Sequence, residues 1–262
     1  MKTGKTVCAF VMAAIWSGTI FAGLPETIVK VKPSIVAVGT IQYTRSPPAK
    51  ILGTGFAVGN GQYVVTNHHV IPENMDVLHN EELAIFAGIG DRANIIKVKV
   101  VQTDEAHDLA LLKFSGKPLP SLQLGNGGEI REGQEYAFTG FPIGAILGLY
   151  PVTHHGIISA ITPIAIPVRN SKQLDINMIQ RLQHPYNVYQ LDATAYPGNS
   201  GSPVYSIETG HVIGVINKVF VQETKESLLE KPSGISYAIP AEFVRDLLKK
   251  AGLGSQDFPA KE

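Results

Sequence analysis

The chain has one cysteine, no surplus of charge of either sign, and no apolar run as long as the roughly 20 residues that a bilayer-spanning helix requires. Each absence removes a class of protein. The single cysteine, Cys8, lies close to the N-terminus, so the remainder of the 262-residue chain cannot build a disulfide framework and must be held by its core. About 240 residues suffice for that. Lys plus Arg and Asp plus Glu number 22 each. No broad basic field therefore exists to attract a phosphate backbone, and nucleic acid is not an expected partner. Internal repeats and low-complexity tracts are also missing. With 44% hydrophobic and 17% charged residues the composition is that of a globular protein, not a disordered one.

What is present begins at the N-terminus. Lys2 and Lys5 precede an apolar run from Val7 to Phe21, and small residues follow at Ala22-Gly23. This pattern reads as a secretory signal, residues 1–22, cleaved after Ala22. A retained anchor is the alternative, but the run is short and interrupted by Ser17 and Gly18. Cys8 stands ahead of the apolar core, where a lipoprotein cysteine would not be. The implied location is exported, periplasmic or secreted.

From Ile35 onward, short β-branched runs alternate with Gly, Pro and Asn, which predicts strands joined by tight connections. One set comprises Ile35 to Ile41, Gly55 to Val58, Tyr63 to Thr66, Ile95 to Val101 and Leu109 to Phe114. A second comprises Glu135 to Thr139, Gly156 to Ile161, Val188 to Leu191, Pro203 to Tyr205, Val212 to Ile216 and Ile235 to Ile239. Two sets of about six strands fit an all-β protein of two six-stranded antiparallel barrels within residues 23–262. The first barrel would cover about 28–118 and the second about 134–240, with the Gly-rich stretch Leu119 to Gly133 between them. Gln173 to Tyr186 reads as a long loop. A C-terminal helix at about 240–251 is opened by Pro240 and closed by Gly252, with Phe243, Val244, Leu247, Leu248 and Ala251 at helical spacing. Pro25 to Lys32 reads as a short helix.

The stretch Gly198-Asn199-Ser200-Gly201-Ser202-Pro203 carries the chemical signal. A serine between glycines on a tight turn can project its hydroxyl while nearby N–H groups converge, as acyl transfer requires. The same six residues also describe an ordinary surface turn. A serine needs a base, and an imidazole titrates in the useful range. His68 and His69 follow the strand Tyr63 to Thr66, and periodicity alone does not choose between them. A carboxylate must then orient the imidazole. Asp108 precedes the apolar strand beginning at Leu109, where it could equally be a strand cap.

The segments Gly53-Thr54-Gly55-Phe56, Thr66-Asn67-His68-His69-Val70, Asp108 to Lys113 and Asp192 to Pro203 together resemble the chymotrypsin-fold serine proteases, in their HtrA/Deg-like branch. Gly140 to Gly144, Gly156 to Ser159 and Gly234 to Pro240 extend the similarity over roughly Ile28 to Lys250. The resemblance implies paired barrels with the triad in the cleft between them. It selects His69 as base, since the family's histidine directly precedes Val or Cys, and matches Asp108 and Ser200 to the orienting acid and the nucleophile. It also implies an oxyanion hole from the N–H groups of Gly198 and Ser200, with Asn199 as a third donor.

Two departures qualify the transfer. Ser202 stands where the HtrA/Deg pattern has glycine, and this serine is shared with the glutamyl endopeptidases of the same fold. Those enzymes place a histidine on the strand beyond the nucleophile, whereas Val212 to Asn217 contains none. Thr194 stands where trypsin-like enzymes have an aspartate. A substrate pocket from Thr194, Val215 and Ile216 would thus suit a small or medium apolar P1 side chain. The second departure is that no room follows Pro240 for the PDZ domain usual in this branch.

The function these residues imply is an exported serine endopeptidase acting on unfolded or flexible polypeptides, in protein quality control. The alternatives are a glutamyl-endopeptidase-like protease, an acyl-transfer enzyme on small esters, and a non-proteolytic chaperone or binding protein. No cofactor, metal or stable membrane association is expected once the signal is removed. A trimer follows only by family analogy. Among the remaining histidines, His154-His155 would need further ligands to bind zinc. His79, His107, His184 and His211 read as solvated, and Tyr136, Phe138 and Phe141 as core.

Overall fold

The computed structural model describes residues 23–125, 130–143, 148–164, 185–217 and 235–254. The signal reading of residues 1–22, the similarities at Gly144 and Gly234, His184 and most of the loop read at 173–186 lie outside the described residues. Helix α1 (Leu24–Val31) turns Thr27 and Val31 inward, and the Thr27 hydroxyl donates to Ile207 O at 2.6 Å. Seven strands follow: β1 (Ile35–Ile41), β2 (Ala49–Val58), β3 (Tyr63–Thr66), β4 (Glu82–Ala87), β5 (Asn94–Lys97), β6 (Lys99–Asp104) and β7 (Leu109–Lys113). They form one antiparallel sheet in the order β5-β4-β1-β2-β3-β7-β6.

The two edge strands of that sheet are consecutive in sequence and separated by Val98 alone, whose N–H donates to Leu83 O at 3.1 Å. A seven-stranded sheet whose opposite edges are joined by one residue has to curl until they meet. The strand expected from Ile95 to Val101 is therefore bent at Val98, with its first half pairing with β4 and its second with β7. Counted as one bent strand, β5 and β6 give the expected six. The strand that sequence reading omitted is β4, whose Leu-Ala-Ile-Phe-Ala run carries a single β-branched residue and follows a polar segment.

The second half is a closed barrel in the order β10-β13-β12-β11-β8-β9. Its strands are β8 (Glu135–Gly140), β9 (Val152–Pro163), β10 (Asn187–Asp192), β11 (Pro203–Ser206), β12 (Val212–Asn217) and β13 (Ile235–Pro240). Helix α2 (Ala241–Lys250) follows β13, with Pro240 at its N-cap and Gly252 at φ +76° beyond its end. Among the described residues no helix is long and apolar enough to cross a membrane.

Strand alternation sorts the apolar side chains into separate cores. On β3, Val64 joins Val36, Val38, Ile85 and Leu112 inside the first sheet. Its neighbour Val65 joins Phe56, Leu111, Phe141, Tyr205, Val215, Val244 and Leu247 in a cluster shared by both halves and α2. Phe138, Ile158, Leu191, Val204 and Ile216 fill the second barrel. Each large aliphatic or aromatic side chain so buried contributes about 1.5–3 kcal/mol. The shared cluster thus fixes how the halves meet, and with it the cleft between them.

Candidate active site

His69 lies in a single 3-10 turn (His68–Val70) that follows β3, and Asp108 immediately precedes β7, which pairs with β3. Strand pairing therefore delivers both to the same end of the sheet. Asp108 adopts φ +51°, a left-handed conformation that aspartate tolerates better than most residues. Its carbonyl accepts from His68 N at 3.1 Å and from Asn67 Nδ2 at 3.0 Å, which folds the histidine turn against it. Its carboxylate Oδ1 accepts from His69 N at 2.9 Å, and Oδ2 lies 2.6 Å from His69 Nδ1. A carboxylate can only accept, so Nδ1 carries the proton and Nε2 is left as a base. His68 instead turns toward Glu105, 3.9 Å away. The geometry thus separates the two histidines that periodicity could not.

A third donor reaches Asp108 from the other half of the molecule: Asn217 Nδ2, at 2.8 Å from Oδ2. Asn217 ends β12, an otherwise apolar strand, and is buried. Sequence reading gave it no role, although a lone amide at the end of an apolar strand was a usable signal. The Asp108 side chain is only 7% exposed, so its charge depends on these donors.

Ser200 is tied to this pair by two routes. Thr54 N on β2 donates to Ser200 O at 2.8 Å, and Thr54 O accepts from Thr66 Oγ1 at 2.7 Å, three residues ahead of His69. Gly201 N donates to Ile216 O at 3.0 Å, next to Asn217. Thr54 Oγ1 also donates to Gly198 O at 2.7 Å and accepts from Phe141 N at 3.0 Å. The Gly198 to Ser202 turn is thus fastened to the first sheet by one threonine that the sequence did not single out. Gly198 and Gly201 sit at φ +98° and +87°, where a Cβ would strike Phe141 O and Thr54 O respectively. Only glycine fits there.

Other expected residues fall differently. The N–H of Asn199 donates to Tyr196 O at 3.0 Å and its side chain is buried, with Nδ2 facing His154 Nε2 at 3.5 Å. Both of its donors are turned inward, so it supports the turn and does not add a third donor to it. Val215 belongs to the shared core beneath α2 and cannot line a pocket, because it points away from the barrel interior. Ile216 points into that interior with Ala193 and Ala195, which flank the half-buried Thr194. The Ser202 hydroxyl is buried and has no hydrogen-bond partner among the described residues.

His107 is not solvated as expected. Its ring stacks on Phe243 of α2 at 3.9 Å, and its Nδ1 lies 2.9 Å from Asp104 Oδ1. Asp104 Oδ2 accepts from Lys250 Nζ at 2.9 Å. The His107 side chain and Lys250 hold the Asp104 carboxyl far below the usual carboxylate range against the opposing effect of burial. His79, by contrast, is 62% exposed beside Asp76. Among the described residues no cluster of three or more His, Cys, Asp or Glu could hold a metal ion.

The chain is 30% identical over 212 residues to a "Probable periplasmic serine endoprotease DegP-like" of Pseudomonas fluorescens, covering 81% of this chain and 37% of that protein. It is 32% identical over 204 residues to a protein of the same description from a Marinomonas species, covering 77% and 36% respectively. The chain therefore spans little more than a third of the length of these relatives. Among solved structures, an HtrA-type protease, AlgW with tripeptide, superposes with a TM-score of 0.63 at 24% identity, covering 87% of this chain and 62% of that one. A serine endoprotease from Yersinia pestis superposes with a TM-score of 0.60 at 23% identity, covering 87% and 66%. These likenesses show the fold, two β halves and a C-terminal helix. The model of the trypsin-like peptidase domain matches residues 53–215, from the glycine before Thr54 to within two residues of Asn217, and the chain belongs to that family.

Proposed function

We propose that the protein is a serine endopeptidase in which Ser200 is the nucleophile, His69 the general base and Asp108 the residue that orients it. The observation that carries this reading is the 2.6 Å contact between His69 Nδ1 and Asp108 Oδ2, with Asn217 and His69 N supplying the remaining donors to the carboxylate. With Nδ1 engaged, Nε2 takes the Ser200 proton as Oγ attacks the scissile carbonyl carbon. The tetrahedral adduct collapses as His69 returns that proton to the leaving amine, giving an acyl-enzyme. Water then reverses the sequence, its proton going to His69 and on to Ser200. The N–H groups of Gly198 and Ser200 are the donors for the oxyanion, and loss of one such donor costs about 2.7–4 kcal/mol in the barrier.

The substrates are unfolded or flexible polypeptides, and the setting is quality control outside the cytoplasm. The periplasmic descriptions of the relatives support the location, and the N-terminal pattern supports export. Ala193, Ala195 and Ile216 beside Thr194 supply an apolar wall with no fixed charge, which favours a small or medium apolar P1 side chain. Degradation of casein tests the activity: the wild type clears it and Ser200→Ala does not. If both leave casein intact while binding it, the chaperone reading replaces this one. Abundant cuts after Lys, Arg or Glu in a peptide library would overturn the P1 assignment.

A further inference from the structure

His154 on β9 makes the one side-chain hydrogen bond of Asn199, the residue immediately before the proposed nucleophile, among the described residues. Asn199 is fully buried, and its main chain is already committed, N–H to Tyr196 O and C=O to Ser202 N at 2.9 Å. Its side chain offers Nδ2 to His154 Nε2 at 3.5 Å, while Oδ1 is buried without a hydrogen-bond partner among the described residues. An amide nitrogen can only donate, so the facing imidazole atom has to accept, which requires the neutral ring with its proton on Nδ1. The surroundings favour that form. The ring stacks on Phe138, with centroids 4.8 Å apart and planes at 18°, and the ring of Tyr196 lies 6.2 Å away. Burial in this apolar niche moves the His154 pKa down. The adjacent His155 faces the other side of the barrel wall, toward Glu135 at 3.7 Å, and cannot substitute.

We propose that His154 is a positioning residue for the Ser200 turn, acting through Asn199 Nδ2 to fix the peptide plane between Asn199 and Ser200. That plane carries the Ser200 N–H and sets the direction of the Ser200 side chain, so its orientation governs both the nucleophile and one oxyanion donor. The inference rests on Ser200 being the nucleophile. A separation of 3.5 Å is long for a hydrogen bond, and the proposal requires it to shorten as the reacting complex forms. The contribution then falls on turnover and not on substrate binding.

Two variants separate this from simple packing. His154→Phe keeps an aromatic ring against Phe138 but removes the acceptor, while His154→Gln restores an amide oxygen that can accept from Asn199 Nδ2. Turnover of a labelled casein is measured together with the rate at which Ser200 is phosphorylated by diisopropyl fluorophosphate, with loss of fluoride, a probe that does not depend on the P1 pocket. His154→Phe lowers kcat and the phosphorylation rate about tenfold or more with KM unchanged, and His154→Gln recovers to within about threefold of wild type. Melting temperatures of both variants control for folding. Equal rates in all three proteins, or equal losses in the two variants that track their melting temperatures, would overturn the role given to His154. Ser200→Ala is run alongside: if it still cleaves casein the nucleophile assignment fails, whereas an inactive Ser200→Ala with an unimpaired His154→Phe defeats only this inference.

Discussion

Asp108 carries more of the site than its neighbours because three donors converge on one carboxylate that water barely reaches. Replacing it with asparagine keeps the shape but supplies an N–H where His69 Nδ1–H needs an acceptor, so the imidazole tautomer is reversed. Asp108→Asn is expected to lower kcat about 10⁴-fold with KM nearly unchanged, as steady-state kinetics on casein-derived peptides would show. Asn217 supplies a single hydrogen bond to the same charge, and such a bond contributes about 1.5–3 kcal/mol. Asn217→Leu should therefore cost roughly tenfold to a hundredfold in kcat. A loss smaller than about threefold would mean that Asp108 does not need the second half of the molecule. At this scale the sequence pointed to His69, Asp108 and Ser200 through local motifs and resemblance. Thr54, Asn217 and His154 escaped it because their partners lie 144, 109 and 45 residues away, and even the lone amide that ends β12 does not tell which residue it reaches.

Among the elements, the connection between β3 and β4 and the turn after β1 are held by one carboxylate. Glu81 Oε1 accepts from the Thr40 hydroxyl at 2.5 Å and from Arg45 Nη1 at 2.7 Å, and Oε2 accepts from Asp76 N at 3.0 Å. The Asp76 N–H, then Thr40 and Arg45, pull its pKa down from 4.5 to about 2. A carboxylate with a depressed folded-state pKa stabilises fully above its unfolded value and loses that contribution as pH falls through the folded one. Glu81→Gln should therefore unfold more readily than wild type at pH 7, and the gap should close between about pH 4.5 and 2. Urea midpoints measured across that window decide it. The β1, β3 and α2 boundaries were legible because β-branched runs and the Pro240 and Gly252 signals are local. The Val98 bend was not, since residues 95–101 look like one strand and only pairing on two sides divides them. His107 was misread for the same reason: a loop histidine is solvated until a helix 136 residues later lies over it.

At the scale of the whole molecule, three clasps join the halves. Thr54 reaches from the first sheet to Gly198, Ser200 and Phe141, Asn217 reaches from the second barrel to Asp108, and α2 returns to Asp104 and His107 through Lys250 and Phe243. Thr54→Val leaves Gly198 O and Phe141 N without their hydroxyl, at about 1–3 kcal/mol for each buried group stranded. For a protein of this size that corresponds to a fall in melting temperature of several degrees, about 2–4 °C per kcal/mol. Thr54→Ser should restore most of both the melting temperature and the turnover, and calorimetry with casein assays would register a failure to do so. Phe243→Ala combined with Lys250→Ala removes the clasp at α2. It should lower the melting temperature while leaving the His69–Asp108 pair in place, so that kcat measured well below the transition falls less than in Thr54→Val.

The Asn217 bond to Asp108 also sets an order of events. The proposed base and its orienting acid come from the first half of the chain and the proposed nucleophile from the second, and the Asp108 carboxylate receives its Asn217 donor only when the two halves are docked. On the proposed assignment, a molecule whose halves are undocked lacks the assembled triad. Under the proposed function, competence to cut is therefore tied to the docking of the two halves, and a molecule that has not docked them is no hazard to its own kind.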